Sequence, residues 1–92
     1  MMRDALLAIL RDTRLLVARP ENDFTWSSWE NAEAALREID ALIALVSKGA
    51  VADRRQLAVL FAPTGPIQEI SVNSGWGETF LELAERLDAV MR

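Results

Sequence analysis

The stretch that decides the predicted fold is residues 57–72, LAVLFAPTGPIQEISV. Its first six residues are apolar and partly β-branched or aromatic, which is typical of a strand that is covered on both faces. Residues 63–66, PTGP, combine two prolines with a glycine and indicate a turn. Ile70 and Val72 then follow the period of two that is typical of a second strand. The stretch therefore predicts a two-stranded antiparallel β-hairpin.

Helical periodicity precedes this stretch. Residues 2–18 place apolar side chains three and four positions apart, and Leu15 widens the apolar stripe. Pro20 ends the pattern, because proline disfavours helical geometry before it and has no amide hydrogen to donate. Residues 28–47 show the same spacing after SSWE at positions 27–30, which fits a helix capping box. The sequence thus predicts two amphipathic helices before the hairpin.

A third helix is predicted after Gly75, where Trp76 and the apolar residues that follow return to helical spacing. Together these elements predict an α+β fold in the order helix–helix–β-hairpin–helix, with three helices packed on the hairpin. Residues 1–92 form a single globular domain in this prediction, because a chain of this length leaves no room for a second.

The predicted hairpin needs further support, because a lone two-stranded hairpin is marginally stable in water. Three helices could cover it, or two copies could pair edge to edge and form a four-stranded sheet. The second arrangement accounts better for a first strand that is apolar on both faces. The sequence therefore favours a homodimer.

The composition excludes several kinds of chemistry. The chain has 92 residues and contains no His, Cys or Tyr. Ser-His and Cys-His catalysis, disulfides and Cys/His zinc sites are thereby excluded. The remaining carboxylates fall mainly on helix faces beside basic residues, as in the i,i+4 pairs Glu33–Arg37 and Glu82–Arg86. We therefore predict a protein that is not an enzyme, with no catalytic, cofactor-binding or metal-binding residues and no cofactor.

The charge and the apolar runs bear on partners and location. The formal net charge is −4 at pH 7, which argues against a nucleic-acid partner. No apolar run approaches the roughly 20 residues of a membrane span, and the N-terminal run is shorter than that of a signal peptide. The sequence predicts a cytoplasmic protein without membrane association.

The tryptophans indicate where a partner could bind. Trp29 and Trp76 lie on apolar helix seams, so we expect both in the core. Trp26 instead lies in a loop with turn-forming and acidic residues, and tryptophan is enriched at interface hot spots. The predicted partner-binding patch consists of Trp26, Phe24, Asp23 and Glu21.

These observations favour a small acidic protein–protein interaction module of the kind found among bacterial accessory proteins. A specific form is an immunity-like or antitoxin-like inhibitor, whose negative charge would steer it onto a basic partner.

Two alternatives stay open at this point. One is a small-ligand-binding domain, or an enzyme that uses carboxylates, with its cleft between the hairpin and the last helix. That cleft would be formed by Gln68, Asn73, Ser74 and Trp76. The other is a structural subunit whose role is oligomerisation itself.

Overall fold

A computed structural model describes residues 2–25, 27–48, 54–62 and 65–91 of the chain. Its helices are α1 (Met2–Val17), α2 (Ala32–Ser47), α3 (Arg54–Leu60), α4 (Pro66–Ser74) and α5 (Gly77–Met91). Across these ranges the structure contains no strand, so the fold is all-α and the α+β prediction is wrong.

The predicted hairpin is replaced by two short helices. Leu57, Leu60 and Phe61 are buried at three-and-four spacing at the end of α3. In α4, Ile70 is fully buried whereas Val72 is 61% exposed. In a strand these two side chains would share a face, so the observed burial follows the helical period. Short apolar runs fit a buried strand and a buried helix equally well, which is why the pattern was misleading here.

Of the predicted turn, residues 63–66, Pro63 and Thr64 lie outside the described residues, whereas Gly65 and Pro66 mark the beginning of α4. Pro66 occupies the first turn of this helix, where its missing amide hydrogen costs no helical hydrogen bond. The preceding Gly65 is buried against the end of α3, and its amide donates to the Ala62 carbonyl at 2.9 Å. A Cβ at Gly65 would collide with the Val59 carbonyl oxygen and lie 3.2 Å from that of Leu60. This position therefore requires glycine because two backbone segments meet there.

The second helix begins later than the capping-box motif predicts. The N-cap of α2 is Asn31, whose side chain accepts a hydrogen bond from the Ala34 amide at 2.9 Å. Ser27 Oγ accepts from the Trp29 amide in a local turn outside the helix. The backbone around Trp29 is non-helical, and its indole Nε1 donates to Glu38 Oε2 at 2.6 Å.

All five described helices contribute to the core, including α3 through Leu57 and Leu60. α1 packs against α2 and α5, and α5 also packs against α4. The rings of Phe61 and Phe80 stack with centroids 6.5 Å apart, which joins the end of α3 to α5. Trp29 and Trp76 are both buried, which confirms their predicted place in the core.

Two predictions depended on the hairpin, the four-stranded sheet across a dimer and the ligand cleft beside the last helix, and both lose their basis. The described ranges offer no strand edge through which two copies could form a four-stranded sheet, and no cleft between a hairpin and the last helix. None of the described helices is both long enough and apolar enough to cross a membrane.

Candidate partner-binding surface

The connection between α1 and α2, residues 18–31, is held in place at its start by Asn22. The Asn22 Nδ2 donates to the carbonyl oxygens of Leu16 at 2.7 Å and Val17 at 2.9 Å. These are carbonyls of the last turn of α1, which lack partners within the helix. Asn22 Oδ1 accepts from the indole Nε1 of Trp76 at 2.9 Å. Both ends of one amide side chain thus tie this connection to the last turn of α1 and to Trp76, which directly precedes α5.

The same connection is fastened along α4. The Asp23 amide donates to Ser74 Oγ at 2.9 Å, near the end of that helix. Further along, the Ser28 amide and hydroxyl both donate to Glu69 Oε1, at 3.1 and 2.9 Å. The connection therefore runs antiparallel to α4.

The structure brings part of the predicted patch to the surface. Glu21 and Asp23 are exposed, whereas Phe24 is half-buried and packs against the core. Trp26 lies outside the described residues. The Asp23 carboxylate accepts a hydrogen bond from the Thr25 amide at 2.9 Å, which fixes its orientation. Hydrogen bonding to Thr25, through its side chain and then its amide, lowers the pKa of Asp23 and stabilises its charged form.

The charges of this region have one sign. Residues 20–36 contain four acidic residues and no Lys or Arg, and residues 56–85 likewise contain four acidic residues and no basic one. Because the part of the α1–α2 connection after Arg19 is hydrogen-bonded along α4, the acidic residues of both segments share one region to which neither segment adds a cation. We call this region the acidic surface, and its members are Glu21, Asp23, Glu30 and Glu69.

The residues of the alternative ligand cleft lie in different environments, from the core to the exposed surface of α4. Trp76 is buried and Ser74 accepts from the Asp23 amide, so both support the α1–α2 connection. Asn73 is exposed on α4. Gln68 is half-buried, and its carbonyl accepts from the buried Ser71 hydroxyl at 2.8 Å.

A groove that the sequence did not predict lies between α1 and α5. It has a volume of about 320 Å³. Its lining residues come from both helices and from Arg19, which follows α1. They are Asp12, Leu15, Leu16, Arg19, Thr79, Glu82, Leu83 and Arg86. Arg86 pairs with Asp12 at 2.8 Å rather than with Glu82, the i,i+4 partner that the sequence predicted. The sequence feature that could have pointed to this groove is Leu15, which widens the apolar stripe of α1. In the structure this side chain is 70% exposed.

Within the described residues, no group of three or more Asp or Glu side chains is arranged to hold a metal ion. Comparison with protein-family models, curated proteins and solved structures finds no match to this chain.

Proposed function

We propose that this chain is a non-enzymatic interaction module that binds a basic protein through the acidic surface. One observation supports this function best. The α1–α2 connection after Arg19 is joined to α4 by side-chain hydrogen bonds, and neither of these two segments contains a Lys or Arg.

The hydrogen bonds of Asn22, Asp23 and Ser28 prepare this surface for binding. A free loop loses conformational entropy when a partner orders it, which weakens association. Here the backbone is already held against α1 and α4 before any partner arrives. Such preorganisation reduces the entropic cost of forming a complex.

Charge determines the kind of partner. A surface of one sign attracts proteins of the opposite sign and accelerates their encounter. With a net charge of −4, the whole chain adds to this attraction. An immunity-like or antitoxin-like inhibitor of a basic nuclease is a specific form of the proposal. Its proposed compartment is the cytoplasm, since a chain without cysteine needs no oxidising environment.

The test compares two charge-neutralised double variants. Glu21→Gln with Asp23→Asn removes two charges from the acidic surface, and asparagine can still accept the Thr25 hydrogen bond. Glu85→Gln with Asp88→Asn removes the same number of charges from exposed positions of α5. Proteins captured from a native lysate by the wild type are identified and purified. Their affinity for all three chains is then measured by calorimetry.

We expect a captured protein of basic charge whose Kd rises by about tenfold or more for the first variant and much less for the second. The difference should shrink as salt is raised from about 50 mM to about 500 mM, because ions screen exposed charges. Equal weakening by the two variants, or a partner without basic character, would contradict the proposal.

A further inference from the structure

The groove between α1 and α5 contains a leucine side chain that is exposed to solvent. Leu15 is 70% exposed, although it lines the groove beside the buried side chains of Leu16 and Leu83. Water therefore contacts a leucine that already lies next to a concave apolar surface. Covering such a side chain would contribute favourable burial energy, since apolar area is removed from water.

The helices that form the groove run antiparallel. Asp12 lies opposite Arg86, and Arg19, seven positions later and just beyond the end of α1, shares the groove with Thr79. The Asp12–Arg86 ion pair closes one end. Arg19 and Glu82 also lie on the rim, and neither forms an ion pair within the part of the chain that the structure describes.

The rim is therefore balanced in charge, with two arginines and two carboxylates. This separates it from the acidic surface and from the chain as a whole, whose net charge is −4. In a two-fold dimer the same patch of each subunit meets itself. A patch of one sign would repel its copy, whereas a balanced patch can place each charge opposite its counterpart.

We propose that this groove is the interface through which two copies of the chain associate about a two-fold axis. Leu15 of each copy packs against the groove of the other, and Arg19 of each copy pairs with Glu82 of the other. Charge complementarity selects a second copy as the occupant. A strongly basic or acidic partner would find no net attraction at this rim. This inference is independent of the proposed function, because it uses other residues.

The first test concerns Leu15. Sedimentation and light scattering of the wild type should show an average mass that rises from that of the monomer toward that of the dimer. We expect this rise as the protein concentration increases from about 10 μM to about 1 mM, which is typical of a small interface. Leu15→Glu should raise the dimer Kd by about tenfold or more, because it places a charge in the centre of the contact. Leu81→Glu is the matched control, since Leu81 is 59% exposed on α5 and does not line the groove. Circular dichroism checks that both variants keep the wild-type helix content.

The second test concerns the charge pairs. Arg19→Glu alone and Glu82→Arg alone should each weaken self-association. In a dimer of either variant, residues 19 and 82 carry charges of the same sign at both contacts between the copies. An equimolar mixture should restore dimers, because both pairs regain opposite signs. The total charge of the mixed dimer equals that of two wild-type chains, so general electrostatics cannot explain the rescue.

Three results would overturn the proposal. One is a wild type that stays monomeric up to about 1 mM, the upper end of weak association. Another is equal behaviour of the Leu15→Glu and Leu81→Glu variants. The last is a mixture of the two charge-reversed chains that dimerises no better than either chain alone.

Discussion

Asn22 joins the end of α1 to the beginning of α5, because its Oδ1 accepts a hydrogen bond from the indole Nε1 of Trp76 at 2.9 Å. The two residues are 54 positions apart in sequence. The Nδ2 of the same amide donates to the Leu16 and Val17 carbonyls. One half-buried side chain thus connects both helices and positions the acidic surface.

Replacement of Asn22 tests this connection. Asn22→Ala should lower the free energy of unfolding by about 1–3 kcal/mol, because the Trp76 indole and the Val17 carbonyl lose this partner. The Leu16 carbonyl keeps its hydrogen bond from the Arg19 amide. Trp76→Phe should cost about 1 kcal/mol through the lost hydrogen bond, in addition to any change in packing. Urea unfolding followed by circular dichroism measures both.

Asn22→Asp separates the donor and acceptor roles of the amide. Aspartate can still accept from Trp76, but its charged form donates nothing and lies beside two carbonyl oxygens at the negative end of α1. We expect lower stability than the wild type at pH 7 and a smaller deficit near about pH 4, where protonation restores a donor. A deficit that does not depend on pH would contradict this role of the Nδ2 group.

Two glycine substitutions differ only in their surroundings. Gly65→Ala should destabilise by about 1–3 kcal/mol, because the added methyl group meets the backbone of α3. Gly77→Ala places its Cβ 3.9 Å from Val72 Cγ2, an ordinary contact at the first residue of α5. We expect this control to be neutral or to stabilise by about 0.4–1 kcal/mol. The denaturant midpoints of the two variants and the wild type measure these changes in stability. Equal effects of Gly65→Ala and Gly77→Ala would argue against the close backbone approach at Gly65.

Two positions of α4 distinguish a helix from a strand. Ile70→Ala should cost about 2–5 kcal/mol, because this side chain is fully buried. Val72→Ala should change stability by less than about 0.5 kcal/mol, since Val72 is 61% exposed. In the hairpin, both residues would share one face and respond alike. Comparable losses at the two positions would therefore count against the helical α4.

The ion pair between Arg14 of α1 and Asp40 of α2 predicts a pH dependence. The Asp40 side chain accepts from Arg14 Nε, and also from Arg14 Nη2 at 3.2 Å. Hydrogen bonding to Arg14 lowers the pKa of Asp40. Because the folded-state pKa is depressed, the stabilisation is present above the unfolded value of about 3.9 and is lost as pH falls through the folded value.

Asp40→Asn should therefore reduce stability at neutral pH and have a vanishing effect at strongly acidic pH. The side chains are 40% and 49% exposed, so the effect on stability should be small and should decrease with added salt. Asp88→Asn on α5 is the control for removal of an exposed charge. A difference between Asp40→Asn and wild type that persists in acid would show a cause other than the ion pair.

The residue pattern was sufficient for the long helices. The predicted first helix, residues 2–18, matches α1 within one residue, and the apolar spacing after Trp76 corresponds to α5. Helices of this length repeat the apolar period several times, so local sequence specifies which face is buried. The burial of Trp29 and Trp76 followed from the same periodicity, although neither lies inside a helix.

The start of α2 and the anchors of the acidic surface needed more than the pattern. SSWE at positions 27–30 satisfies the capping-box rule, yet Asn31 caps the helix. Glu21 and Asp23 were predicted as exposed contact residues and are exposed, but nothing local shows that Asn22 between them holds two helices together. Bonds between residues so far apart in sequence depend on how the helices pack.

What the amino-acid pattern alone established was the chemistry that this chain excludes, the long amphipathic helices and the acidic character of the α1–α2 connection. Tertiary structure alone decided that residues 57–60 and 66–72 lie in helices and that a groove forms between α1 and α5. A segment of seven to nine residues contains too few turns to be stable by itself, and its conformation is selected by the surfaces against which it packs. In α4, the helical backbone places Ile67 and Ile70 on one face, where both are fully buried. That burial outweighs the strand preference of the β-branched residues in this segment.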